Sequence, residues 1–184
     1  NVFAHNLLVD CGYNHRTDMS RRSQYYRPHT QEVVGRESGI PRNEKWFNNI
    51  FIRRGLEAVK DRPGYEADCN VFLEGAQKST FGDRNSLVDA SAAGFQRTDS
   101  PTGISISFSV DEPVLRLRCP WVDGRLVGLF ERCAQTIEDR YGNPIRVETD
   151  ILGRRFSRPV PGPLARLEPG KNTISWEIRN VRMF

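Results

Sequence analysis

Residues 104–141 read ISISFSVDEPVLRLRCPWVDGRLVGLFERCAQTIEDRY, the densest apolar and periodic stretch of the chain. Ile104, Ile106, Phe108 and Val110 alternate with Ser105, Ser107 and Ser109, the pattern of a strand with one buried and one polar face. Asp111, Glu112 and Pro113 turn the chain, and Val114, Leu115, Leu117 and Cys119 follow with Arg116 and Arg118 opposite. Two such runs joined by three residues predict an antiparallel hairpin. Beyond it Leu126, Phe130, Cys133, Ile137 and Tyr141 recur at helical spacing until Gly142, Asn143 and Pro144 interrupt them, so an amphipathic helix is expected over 124–141.

Working upstream, residues 65–74 alternate Ala67, Cys69, Val71 and Leu73 on one side and read as a strand, as do residues 2–12. Between them Asn43 is a plausible N-cap. Trp46, Phe47, Ile50, Phe51 and Arg54 then fall on one helical face, and Pro63 and Gly64 stop the run, which predicts a second helix over about 44–61. Residues 13–31 have no periodicity and are read as a long polar loop, and residues 75–103 are weakly patterned. Downstream, strands are expected at 145–150 and 172–179, separated by a basic piece at 153–158 and a proline-rich loop. No internal repeat and no linker is visible. The expected fold is α+β, a mostly antiparallel sheet packed against two amphipathic helices, in one domain covering 1–184.

Composition narrows the function classes. The net charge is +4, carried by 23 Arg and only 4 Lys among 184 residues, which favours planar, forked contacts to anions and stacking on rings. No apolar run approaches the length of a membrane span. The four cysteines form no Cys-x-x-Cys pair, so a structural zinc site is not expected, nor any other metal or cofactor. Their even number suggests two disulfides with three possible pairings, hence an oxidising compartment and a secreted protein. A chain that opens on Asn1 is read as processed or trimmed.

No HExxH, Gly-x-Ser-x-Gly or phosphate-loop signature occurs. The working surface is therefore sought in the arginine-rich loop, where Arg16, Arg21, Arg22 and Arg27 flank Tyr25 and Tyr26, with Arg154, Arg155 and Arg158 repeating the theme around Phe156. Cationic forks beside aromatic rings suit an anionic ligand, nucleic acid included, or a protein partner. The expected function is non-enzymatic binding through this surface. A competing class is a nuclease-like phosphodiesterase using His15 or His29 as base beside those arginines. A third is a structural subunit of a larger assembly, such as a virus or phage particle. The strand–Cys–helix–Cys passage at 119–133 resembles small secreted ribonuclease-like effectors of plant-pathogenic fungi over less than half the chain. Residues 119–184 contain no histidine, so the resemblance implies a binding role on a degraded nuclease scaffold.

Overall fold

The computed structural model describes residues 1–12, 18–81, 83–130 and 132–177. Its core is one local structure repeated in HNLLVD (5–10), NNIFIR (48–53), CNVFLE (69–74) and NSLVDA (85–90). The first three units each join two short strands across a corner. These are β1 (Val2–Ala4) and β2 (Leu7–Val9), β5 (Lys45–Phe47) and β6 (Ile50–Ile52), and β7 (Glu66–Asp68) and β8 (Val71–Leu73). The fourth supplies β9 (Leu87–Asp89), with Arg84 bridging to Asp68. Equivalent strands pair in parallel and in register, in the orders β1-β5-β7 and β2-β6-β8-β9. The chain therefore winds as successive rungs of a parallel β-helix.

The corners explain why these segments are not helices. Their first residues, His5, Asn48, Cys69 and Asn85, sit at φ of 54°, 56°, 53° and 51°, the left-handed region that Asn and His enter more easily than most side chains. Three of these N–H groups donate to the rung below: His5 to Phe47 O (3.2 Å), Asn48 to Asp68 O (3.1 Å) and Cys69 to Arg84 O (3.1 Å).

The second corner residues, Asn6, Asn49, Asn70 and Ser86, form a side-chain ladder. Asn49 Oδ1 accepts from Asn6 N, and Asn49 Nδ2 donates to Phe3 O at 2.9 Å. One rung on, Asn70 Oδ1 accepts from Asn49 N, and Asn70 Nδ2 donates to Trp46 O at 2.8 Å. Ser86 Oγ accepts from Asn70 N and closes the series. Asn49, Asn70 and Ser86 thus satisfy backbone groups of the rung before them.

Inside the rungs, Phe3 stacks on Trp46 (centroids 5.9 Å apart) and Phe51 on Phe72 (5.0 Å). The irregular third side still stacks, since Leu56 N–H donates to Gln77 O at 2.8 Å. A Cβ on Gly55 would lie 2.2 Å from that same oxygen, so the close approach requires glycine. Outside, an antiparallel sheet of β10 (Gln96–Ser100), β11 (Gly103–Val110) and β14 (Gly170–Glu177) covers β6 and β8. Phe108, Val110 and Ile174 bury Ile50, Ile52, Val71 and Leu73. Strands buried on both faces carry continuous apolar runs, which is why IFI and VFL are wholly enclosed.

This architecture corrects the expected α+β fold. Residues 44–61 contain β5 and β6, not a helix; the spacing of Trp46, Phe47, Ile50 and Phe51 arises from two strands separated by the Asn48–Asn49 corner. Among the described residues of 124–141 only one helical turn forms, α2 (Gly124–Val127). The Asp123 carboxylate caps it by accepting from Arg125 N and Leu126 N, and Gly128 ends it at φ 75°. A small hairpin of β12 (Leu129–Phe130) and β13 (Gln135–Thr136) follows, and Tyr141, the last residue of the supposed apolar stripe, is 72% exposed. Residues 112–115 form a second single turn, α1 (Glu112–Leu115), so β11 pairs with β10 and β14 and not with residues 114–119. The helix behind the fungal-effector resemblance is therefore reduced to one turn. Residues 18–39, of which the stretch to 31 was expected as loop, form the hairpin of β3 (Asp18–Tyr26) and β4 (Val33–Gly39) between the first and second rungs.

The column of first corner residues anchors the later chain. Cys69 is joined to Cys119 in a disulfide. Asn48 Nδ2 donates to Pro120 O at 2.9 Å, and Asn48 O accepts from Gly162 N at 2.8 Å. The His5 ring packs on Phe156 with centroids 4.6 Å apart. Cys11 and Cys133 are free, so one disulfide replaces the expected two. Burial lowers the His5 pKa from 6.5 to about 4, against a smaller opposing effect of the Gly162 and Val160 backbone. A histidine held neutral in the folded state stabilises it fully above pH 6.5. As pH falls from there toward 4 the unfolded chain takes up the proton first. Stability should then drop by about 3 kcal/mol from this group. Denaturant titrations at several pH values should show that slope, and His5→Asn should flatten it.

Candidate functional site

The outer face of β1, β5 and β7 is only partly covered. Phe47 is buried, and Val2 and Ala4 half-buried, under Val122, Leu126 and Val127. Past Leu126 the cover ends and the face opens into a cavity of about 430 Å3, bordered by Asp61, Glu66, Asp68 and Arg84, with Tyr65 and Phe81 at its wall. β7 places the two carboxylates. Ala67 points into the core, so Glu66 and Asp68 point outward together, their Cα atoms about 6.6 Å apart at ordinary strand rise.

Both carboxylates of β7 are held. Glu66 pairs with the Lys45 ammonium, whose side chain is almost buried. Asp68 Oδ1 accepts from Asn85 Nδ2 at 3.2 Å. Tyr65 meets Trp46 and Phe81 edge-on, with centroids 5.3 and 5.6 Å apart. Burial, with the Glu44 charge behind it, pushes the Tyr65 phenol up to about 12, so it stays protonated. The site thus offers oriented carboxylate acceptors, a guanidinium donor and an aromatic wall, the mixture that fits a small ligand rich in hydroxyls. A second cavity of about 390 Å3 lies by Leu115 and Arg166, but its Arg158 is tied to the chain's own carbonyls.

The residues singled out from sequence lie elsewhere. Arg16 and His15 fall outside the described residues. Arg21, Arg22, Tyr25 and Tyr26 lie on β3 and Arg27 just past it. Arg21 pairs with Asp18, and Arg27 binds Glu32 through two nitrogens, closing the hairpin. Tyr25 lies against Gly35 and under the Arg132 guanidinium, 5.3 Å from its ring centroid. The Tyr26 hydroxyl is 2.9 Å from the Gln24 amide. His29 Nε2 is 3.0 Å from Glu138 Oε2.

Arg154 grips the buried Asp150 carboxylate. Burial opposes ionisation of Asp150, but Ala165 N–H, Arg154 and Leu152 N–H outweigh it and hold the carboxyl below its usual range. Arg155 lies 3.8 Å from Glu148, and Arg158 donates to Leu115 O and Leu117 O at 2.6 and 3.3 Å. Among the described residues no hydrogen bond or ion pair joins the hairpin group to Arg154, Arg155 and Arg158. The alternation at 65–74 already puts Glu66 and Asp68 on one face opposite Ala67, but two acidic residues on a strand carry no motif that marks a site.

No protein-family model matches this chain, and no curated protein does. A solved complex of XylC with xylose is similar in structure, with a TM-score of 0.79 at 19% sequence identity. The match covers 95% of this chain and 32% of XylC, so the chain spans about a third of that protein's length. At this identity the likeness is one of fold.

Proposed function

We propose that the chain binds saccharides in the cavity on the outer face of β7. The observation that carries this reading is the pair of outward carboxylates, Glu66 and Asp68, beside Asp61 and Arg84 at the rim of an open cavity with an aromatic wall. Carboxylates accept two hydrogen bonds from neighbouring sugar hydroxyls, and an arginine donates to a hydroxyl or ring oxygen. The structurally similar XylC is a xylose-bound protein, so xylose is the first probe. Binding is favoured over hydrolysis here. Glu66 is engaged by a lysine, which suits an acceptor and not the proton-donating acid that glycoside cleavage needs. The Cys69–Cys119 bridge supports an oxidising, extracellular setting, and no helix among the described residues is long and apolar enough to cross a membrane.

For a ligand of xylose size, ordinary efficiency per atom gives roughly 3 kcal/mol, a Kd on the order of millimolar. Asp68→Asn keeps the shape but removes the charge, and should weaken binding about tenfold. Calorimetric titration of both proteins with xylose and xylobiose checks this. Equal affinity of the two proteins, or none in either, would rule out the site.

A further inference from the structure

We infer that the cavity beside α1 is a second ligand site, suited to a small carboxylate with an apolar tail. At about 390 Å3 it falls within the range of small-ligand pockets, and it shares no lining residue with the cavity on β7. It lies at the seam between the main core and the small cluster around Phe156. Leu115 and Leu167 border it from the first, Val160 from the second. Val160 and Leu167 are buried and form an apolar floor, whereas Arg158, Arg166 and Glu168 are exposed and form the rim.

The rim carries one positive charge in excess. Arg166 Nε lies 2.7 Å from Glu168 Oε1, so these two charges offset each other. Arg158 is held differently. Its Nη1 and Nη2 donate to Leu117 O and Leu115 O at 3.3 and 2.6 Å, and among the described residues no carboxylate pairs with it. Backbone carbonyls fix a guanidinium in place without neutralising it. That tie occupies N–H bonds that a neutral sugar would use, yet it leaves the charge and the Nε–H. One carboxylate balances the rim through charge-assisted hydrogen bonds to Arg158 and Arg166. An apolar tail then covers Leu115, Val160 and Leu167 and removes their surface from water. An inorganic anion leaves the floor unused, and an alcohol leaves the charge unmet, so the two features together define the ligand.

The test is an amide chemical-shift titration of the oxidised protein with hexanoate, 1-hexanol and acetate at constant ionic strength. Hexanoate should give saturable shifts at residues 115–117, 157–160 and 165–168, with a Kd on the order of 10 mM. Hexanol and acetate should each bind about tenfold more weakly. Two variants move the rim charge in opposite directions. Glu168→Gln leaves both arginines unbalanced and should tighten hexanoate about threefold to tenfold; Arg166→Gln sets Glu168 against Arg158 and should weaken it by a similar factor. A gain of affinity in Glu168→Gln is not an outcome that misfolding produces. Equal affinity for hexanoate and hexanol, shifts centred on residues 61–68, no saturation up to about 100 mM, or a Glu168→Gln protein that binds hexanoate no tighter would each overturn the proposal. No sugar enters these titrations, so they are independent of the saccharide reading.

Discussion

Asn49→Ala is expected to lower the unfolding free energy by about 3–4 kcal/mol, a large share of the stability of a domain this size. Asn49 is fully buried at the centre of the ladder. Its Oδ1 accepts from Asn6 N and Asn6 Nδ2, each at 3.0 Å, and its Nδ2 donates to Phe3 O and to Asn70 Oδ1. Alanine removes the side-chain partners of Asn6 N and Phe3 O and leaves a small cavity at a fully buried position. Serine should fall between, because a hydroxyl accepts the corner N–H as Ser86 does for Asn70, but cannot also reach the carbonyl. Urea denaturation should show a lower midpoint at unchanged slope. A loss under 1 kcal/mol for alanine would mean that the ladder contributes little.

Cys119→Ser is the second large effect. The Cys69–Cys119 bridge closes a loop with a sequence separation of 50 residues, so its loss should cost roughly 4 kcal/mol through the freedom returned to the unfolded chain. It also releases residues 119–122 from the corner column, where Asn48 holds Pro120 and Phe47 packs on Val122. The variant and the reduced wild type should unfold at similar denaturant concentrations, both well below the oxidised protein. Thiol counting on unfolded, unreduced protein should find Cys11 and Cys133 alone.

How much of this was legible in the sequence differs from element to element. The alternation of Ile104, Ile106, Phe108 and Val110 located β11, and residues 172–179 located most of β14, since a strand packed on one face shows its period directly. The rungs hid for two reasons. Each strand has three residues, too short to show a period of two, and crossing a two-residue corner places Trp46 and Phe47 four residues before Ile50 and Phe51. That is the spacing of a helix face, and only the left-handed backbone at Asn48 breaks it. The expectation of no internal repeat was wrong: HNLLVD, NNIFIR, CNVFLE and NSLVDA repeat one structure, but their ladder residues lie 43, 21 and 16 positions apart, so no fixed period announces it. The site was half legible: Glu66 and Asp68 share a face by simple alternation, whereas Asp61 and Arg84 join them only through winding.

Amide chemical-shift mapping of the oxidised protein titrated with xylose tests the functional reading most directly. The predicted result is a set of saturable shifts confined to residues 61–68, 84 and 126, lost in Asp68→Asn, with the hairpin at 18–39 unmoved. Shifts confined to that hairpin, or none up to the tens of millimolar at which a millimolar site would be about nine-tenths full, would contradict it.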